Sequence, residues 1–559
     1  METQVDELAE EAAAAVRRGD DKALHTLFSR DINNLDELVW PMLTRVNELL
    51  ESASMSKITC STYSTLLQLA SLRGKPKELV YAYLESCEAF QSSVVVCGTV
   101  PLLASALAKI PENERSLEVV CNTLDSHIRS CPWTRDDYVI ADDDANDLTR
   151  DPVIKLHEKT QATTDLLHLV TTVVEEFAVP MTNISNDTMS KEAMSEMMTR
   201  LAHYPLLYTL DEHVMPTIVS ALSNVHPTLT KLLFRDFAKE NTIFAVSTII
   251  EDPLNMSKTS ESLWMPGLGA VLYAVLYDGC CVQAMPSVHT PQFQFISLLP
   301  TLHSLFIRCS HKVVALKTTR LLEYLLNRIG AGDVDETALE SALIKETIAF
   351  LCWGMQFSDL LTVRQSSARL LPVLCSKFTI KGQYYLLQHT LSTQTSPEIL
   401  SYVYTLVKDF VHHMWSSPMA ETYQNYALNL MEKIFCPPEG EGGQLIGDLN
   451  KISSALNLAR YLVNRDKRRT AAQTRDMMRY IKDYIKPVGK CLRSELNGLE
   501  ERLKTLNEGS FELSEMSVDV GSETINCGID VEKEATLGAI NKVHLVLHVY
   551  DCLADSLAL

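Results

Sequence analysis

The feature that most narrows the fold is a helical hydrophobic period that returns from one end of the chain to the other. Apolar residues recur at i, i+3 and i+4 in stretches about one helix long, and short polar or proline-bearing breaks separate them. Residues 38–50, 63–72, 78–90, 102–110 and 116–131 each read as one helix, with breaks such as 73–76 and 111–114 between them. A longer helix is expected over 153–179, ended by Pro180. The second half is more regular, with helices expected over 263–277, 293–309, 311–329, 337–357, 360–378, 381–391, 397–415 and 422–435. Leu321, Leu322, Leu325, Leu326 and Ile329 make one stripe, and Gly330 stands where a left-handed cap would end that helix. A last helix over 532–559 carries the stripe Leu537, Ile540, Val543, Leu547, Tyr550, Leu553 and Leu557.

Helices of this length joined by short turns, with no alternating strands, imply stacked helical pairs. A lone pair buries too little to offset its ordering entropy, so the pairs must stack. No residue motif repeats at a fixed period. The expected fold is therefore all-α, an irregular HEAT-like helical-repeat solenoid in two parts. An N-terminal helical-repeat domain is expected over 1–255, and a C-terminal HEAT-like domain over 256–559 carrying the partner-binding surface. The division falls in the polar segment 252–261, which contains Pro253. The segment 507–530 is polar with β-like fragments and reads as an irregular excursion.

At 46% hydrophobic residues the chain can fill a continuous core. A net charge of −21 and a pI near 5.2 argue against nucleic acid or an anionic membrane as partner. Fourteen cysteines are scattered with no C-x-x-C, as expected of buried free thiols in a reducing, cytoplasmic setting. The acidic amphipathic N-terminus lacks the basic start and apolar run of a signal peptide. The longest apolar runs, such as 95–107, are too short and interrupted for membrane insertion. The five tryptophans are dispersed and read as core anchors.

Searches for catalytic or ligand motifs fail. There is no H-E-x-x-H, G-x-S-x-G or Walker-type loop. The glycines around Gly440 are flanked by Glu439 and Glu441, the wrong sign for a phosphate cradle. Asp142, Asp144 and Asn146 begin a calcium-loop spacing, but Asp147 and Val153 stand where glycine and glutamate are needed. His412 and His413 have no cysteine or carboxylate at ligand spacing and read as helix surface. No cofactor and no metal are expected, and the chain reads as non-enzymatic.

The least ordinary stretch is 448–493. Wound as a helix, 451–465 places Ile452, Ala455, Leu456, Ala459, Leu462 and Val463 on one side, and Ser453, Asn457, Arg460, Tyr461 and Asn464 on the other. In 475–493 the buried line is Ile481, Ile485, Val488 and Leu492, and Arg475, Arg479, Lys482, Lys486, Lys490 and Arg493 stack opposite. From Lys451 to Lys504 there are fourteen Lys or Arg and six Asp or Glu, about +8 in an acidic chain. A positive ridge on a negative body can steer a partner and fix its register. Charged outer faces of helices are also commonly just solvated, and charge alone leaves both readings open.

The segment LNKISSALNLARYLVNRD and the later IKDYIKPVGKCL resemble the glomulin family. The matching residues are Ala455, Leu456, Asn457, Leu458, Arg460, Tyr461, Leu462 and Val463, then Ile485, Lys486 and Pro487. A weaker collinear likeness runs over 268–279, 318–329, 364–391 and the final helix, while the basic loop 466–469 departs from the family pattern. The resemblance implies a two-part HEAT-like protein that binds the RING domain of the RING-box subunit of cullin–RING ubiquitin ligases. Such a protein masks the docking surface of the ubiquitin-conjugating enzyme and so inhibits ubiquitin transfer. It also implies binding to an immunophilin. By this likeness Asn457, Arg460, Tyr461 and Asn464 touch the RING domain and Lys482 and Lys486 frame it, and Arg479 and Lys490 of the same ridge are counted with the partner-binding residues. Competing readings are a helical-repeat adaptor for cargo transport and a scaffold for a signalling complex.

Overall fold

The protein is seen in a computed structural model that describes residues 2–30, 32, 34–51, 57–90, 93–110, 114–130, 161–178, 180, 194–195, 197–199, 201–202, 214–225, 264–281, 289–307, 311–416, 423–436, 445–466, 471–508, 517–520, 523–526 and 529–557. Two compact units divide these residues. One comprises Met1–Ile329 with Phe357–Ser367, the other Gly330–Gln356 with Ala368–Leu559. The boundary expected between residues 255 and 256 lies outside the described residues, as do the acidic segment around Asp142, the glycines around Gly440 and most of the basic loop after Arg465.

The helices of the first unit are α1 (Glu2–Arg18), α2 (Asp21–Ser29), α3 (Leu35–Glu51), α4 (Lys57–Ser71), α5 (Pro76–Ala89), α6 (Ser93–Leu107), α7 (Glu114–Ser130) and α8 (Gln161–Thr172). The last of these continues into a π-helical turn, Val173–Ala178. Further along are α9 (Val214–Val225), α10 (Trp264–Leu276), α11 (Pro291–Phe306) and α12 (Lys312–Asn327). Their packing follows from the amphipathic period. Helix α1 rests on α3, α3 on α5 and α5 on α7, while α2 rests on α4, α4 on α6 and α6 on α8. Odd helices form one layer and even helices another, and pairs such as α5 and α6 join the layers. This is the stacking expected of a helical-repeat array, in which each apolar face is covered by a neighbour. The core between α3, α4 and α5 also holds a polar knot. The fully buried Tyr63 hydroxyl donates to Asn47 Oδ1 and stands 2.8 Å from Ser86 Oγ, and burial pushes its phenol well above the ordinary value. Such a group is tolerated in a core because its hydrogen bonds are made.

The second unit begins with a 3-10 turn, Glu336–Glu340, followed by α13 (Ala342–Phe357). The sequence reading starts that helix at Thr337. Asp335 instead caps the short turn through the Thr337 amide, and Ser341 accepts from the Leu343 amide to start the true helix. Then come α14 (Leu361–Lys377), which belongs to this unit from Ala368 onward, α15 (Ile380–Thr393), α16 (Pro397–Ser416), α17 (Gln424–Ile434), α18 (Leu445–Asp466), α19 (Ala471–Glu508) and α20 (Ile529–Leu557). The same alternation recurs within this unit, with α15 on α17 and α17 on α19, and α16 on α18 and α18 on α20. The architecture is all-α helical repeat. Among the described residues the only strands are β1 (Ser517–Val520) and β2 (Glu523–Asn526), an antiparallel hairpin pairing Val518 with Ile525. It lies where the sequence suggests β-like fragments, and it gives that excursion a register. No described helix is long and apolar enough to cross a membrane.

Three further expectations need correction. Gly330 is not left-handed. Its amide donates to Asp333 Oδ2 at 3.0 Å, and the left-handed residue is Gly332, at φ 77°, whose amide reaches Ser376 O across the unit. Trp40, Trp353 and Trp415 are half-buried rather than core, because the core is filled by leucine, valine and phenylalanine. Leu537 is 50% exposed and leaves the stripe of the last helix, whereas Ile540, Val543, Leu547, Tyr550 and Leu553 are buried.

Candidate functional site

Helix α18 is amphipathic as its sequence dictates. Ile452, Ala455, Leu456, Ala459, Leu462 and Val463 are buried, and Asn457, Arg460 and Asn464 are exposed. Tyr461 is half-buried. Its even-layer neighbour α16 buries Val403, Tyr404, Val407, Phe410, Val411 and Met414, so the two helices lie side by side. The Ser401 and Ser454 hydroxyls meet across the seam at 2.7 Å.

Between these helices runs a groove of about 530 Å³, within the usual range for ligand clefts. It is lined by Tyr404, Thr405 and Lys408 from α16 and by Ser454, Asn457, Leu458, Arg460, Tyr461 and Asn464 from α18. Tyr404 and Leu458 are buried and form an apolar floor. Burial raises the Tyr404 phenol well above its ordinary range, with Asp448 and Cys436 adding to the effect. The rim is polar and carries two cations, Lys408 and Arg460. The carboxylate of Asp409 lies 3.6 Å from the Lys408 amine, an exposed contact that binds it loosely.

Tyr461 is held in place by a surface network. Its hydroxyl is 2.7 Å from His412 Nδ1, and Arg465 Nη1 donates to that hydroxyl at 2.9 Å. Arg465 also reaches His412 Nδ1, and Arg465 Nη2 lies 3.3 Å from Ser416 Oγ. Arginine can only donate, so His412 Nδ1 is the acceptor in its contact with Arg465. The tyrosine hydroxyl accepts from Arg465 and shares with it the single lone pair of His412 Nδ1. Its hydrogen bonds are spent within the protein, and what the groove receives from Tyr461 is chiefly the ring.

Helix α19 buries Ile481, Ile485, Val488 and Leu492 and exposes Arg479, Lys482, Lys486, Lys490 and Arg493. Arg479 to Lys490 spans about 16 Å of helix at 1.5 Å per residue. Among the described residues Lys482, Lys486 and Lys490 have no ion pair. Arg493 is turned to α20, where it meets Asp551 at 3.1 Å and lies 5.3 Å from the Tyr550 ring centre.

Of the eight residues singled out from sequence, the fold gathers Asn457, Arg460, Tyr461 and Asn464 into one groove. Arg479, Lys482, Lys486 and Lys490 share an exposed face of the next helix, and none of them lines the groove. Sequence reading missed the α16 wall and the part played by His412 and Arg465. A signal was present: Thr405, Lys408 and His412, at i, i+3 and i+7, form a polar stripe on an amphipathic helix. His412 is exposed, and the role it takes is to orient Tyr461.

No protein-family model matches the chain. Glomulin of Mus musculus is 21% identical over 311 residues, covering 55% of this chain and 52% of that protein. Glomulin of Homo sapiens is 21% identical over 350 residues, covering 61% of this chain and 56% of that protein. A solved circular tandem repeat protein with novel repeat topology covers all of this chain and 97% of its own at 13% identity, but its TM-score of 0.17 is too low to support any inference. In sequence this helical-repeat chain is similar to the glomulins, and it spans about half the length of the curated relatives it matches.

Proposed function

We propose that this protein is a non-enzymatic regulator of cullin–RING ubiquitin ligases. It binds the RING domain of the RING-box subunit, masks the surface where the ubiquitin-conjugating enzyme docks, and so inhibits ubiquitin transfer. The observation that carries the reading is the convergence of Asn457, Arg460, Tyr461 and Asn464 on one groove, since these are the residues that the glomulin likeness selects. The exposed cations Arg479, Lys482, Lys486 and Lys490 supply a second, steering face. The mechanism is steric, and it requires only that this surface occupy the RING domain better than the conjugating enzyme does. The buried free thiols of Cys87, Cys352 and Cys375 support a cytoplasmic setting. An immunophilin is the second partner that the likeness brings with it.

The deciding experiment is ubiquitin transfer by a neddylated cullin–RING core with and without the protein. Transfer is expected to fall as the protein reaches the concentration of the ligase. Full transfer at saturating protein, with no retention of the RING-box subunit in a pull-down, would remove the proposal.

A further inference from the structure

The groove between α16 and α18 has a chemical bias of its own. None of its nine lining residues is acidic, although the chain carries 71 Asp and Glu against 50 Lys and Arg. Lys408 and Arg460 stand on opposite walls, one from each helix. Two side-chain amides, Asn457 and Asn464, and two hydroxyls, Thr405 and Ser454, complete the rim. The floor of Tyr404 and Leu458 is buried and apolar, so a charge placed above it is only partly screened. Arg465 is engaged by Tyr461, His412 and Ser416. Lys408 keeps only its exposed 3.6 Å contact with Asp409, which an occupant's carboxylate must compete with, and Arg460 is the second cation at the groove.

We propose that this groove is a carboxylate-accepting site, which takes an aspartate or glutamate side chain from an acidic peptide segment of the partner. The planar Arg460 guanidinium can hold both carboxylate oxygens, Lys408 can neutralise the charge from the facing wall, and the two amides can donate to the remaining lone pairs. The flat Tyr461 ring, fixed by His412 and Arg465, then packs against the peptide's aliphatic portion. Two cations and two amides suit a singly charged carboxylate better than a doubly charged phosphate, which is commonly met by clusters of arginine. This deepens the RING-docking reading and rests on it for the partner's identity, while the chemistry of the groove stands by itself.

The test uses the full chain and three labelled peptides of one length: glutamate alternating with serine, the same with glutamine for glutamate, and the same with phosphoserine for glutamate. Fluorescence anisotropy should show the glutamate peptide binding, with the affinity falling on the order of tenfold in the Lys408→Ala, Arg460→Ala double variant and falling again at high salt. The glutamine peptide should not bind. Unchanged thermal unfolding would show that the variant is folded, since Arg460 is exposed and Lys408 half-exposed. Equal binding of the glutamine peptide, tighter binding of the phosphoserine peptide, no binding of the glutamate peptide or no effect of the double variant would each overturn the proposal. The transfer assay separates the two ideas. Inhibition by the double variant equal to that by the natural protein sinks the carboxylate site alone. Variant-sensitive peptide binding without any inhibition sinks the ligase reading alone.

Discussion

The Tyr461 hydroxyl lies 2.7 Å from His412 Nδ1, a contact 49 residues apart in the chain that ties α18 to α16. With Arg465 donating to the same hydroxyl at 2.9 Å, the ring is locked at the edge of the groove before any partner arrives. Preorganisation of this kind lowers the ordering cost of binding.

Replacing Arg460 and Tyr461 together by alanine is expected to cost about 2–4 kcal/mol of partner binding, the scale of hot-spot residues. Stability should change little, because Arg460 is exposed and Tyr461 only half-buried. Titration calorimetry against the RING-box–cullin complex, set beside denaturant unfolding, measures both quantities.

Tyr461→Phe separates the ring from its hydroxyl. It keeps the groove wall but removes the link to His412 and Arg465, whose net worth is on the order of 1 kcal/mol or less at an exposed position. Binding should weaken by clearly less than for Tyr461→Ala. Equal losses would mean that the hydroxyl, not the ring, meets the partner.

Gly489 of α19 lies against the Tyr550 ring of α20 so closely that a β-carbon there would overlap the ring carbons. Alanine is favoured over glycine inside a helix by roughly 1 kcal/mol. Here the clash should prevail, and Gly489→Ala should destabilise the protein by on the order of 1–3 kcal/mol, as overpacking does. A raised thermal midpoint would show that α20 moves aside at little cost.

Burial pushes the Cys87, Cys352 and Cys375 thiols up to about 12. An unfolded thiol ionises near about 8.5. The native state then holds protons that the unfolded state gives up, so stability is complete below that value and declines as pH rises above it. Urea midpoints should drop between about pH 7.5 and pH 9.5. Among the described cysteines of the native protein, iodoacetamide should label the exposed Cys436 before these three, as read by peptide mass spectrometry.

Histidines give the opposite slope. Burial lowers His127 on α7, and burial with the nearby Lys345 lowers His389 on α15. Their unfolded counterparts take up a proton near about 6.5. Stability from these groups is present above that value and is lost as pH falls through it toward the depressed native values. His127→Gln should flatten the decline of the urea midpoint between about pH 7 and pH 5.5, and an unaltered slope would show that His127 is not its source.

The helices were legible in the sequence because amphipathic period is a local property, visible in any window of a dozen residues. The helix expected over 397–415 is observed as Pro397–Ser416, and that over 381–391 as Ile380–Thr393. The exposed and buried faces of α18 and α19 followed from the same period. The errors fell where a residue distant in the chain, or a capping residue, decides the local structure. Gly332 takes the left-handed turn as its amide donates to the Ser376 carbonyl, and Leu537 is 50% exposed at the start of α20's apolar stripe.

The local period also settled which of Asn457, Arg460, Tyr461 and Asn464 turn away from the core. It could not reveal that Tyr404, Thr405 and Lys408 form the opposite wall, or that His412 and Arg465 fix the tyrosine. Those relations join positions some fifty residues apart, such as 412 and 461, and depend on which helices become neighbours in a layer. That choice is made by side-chain packing across the whole unit, because the energy of one helix face is defined only by the face that covers it.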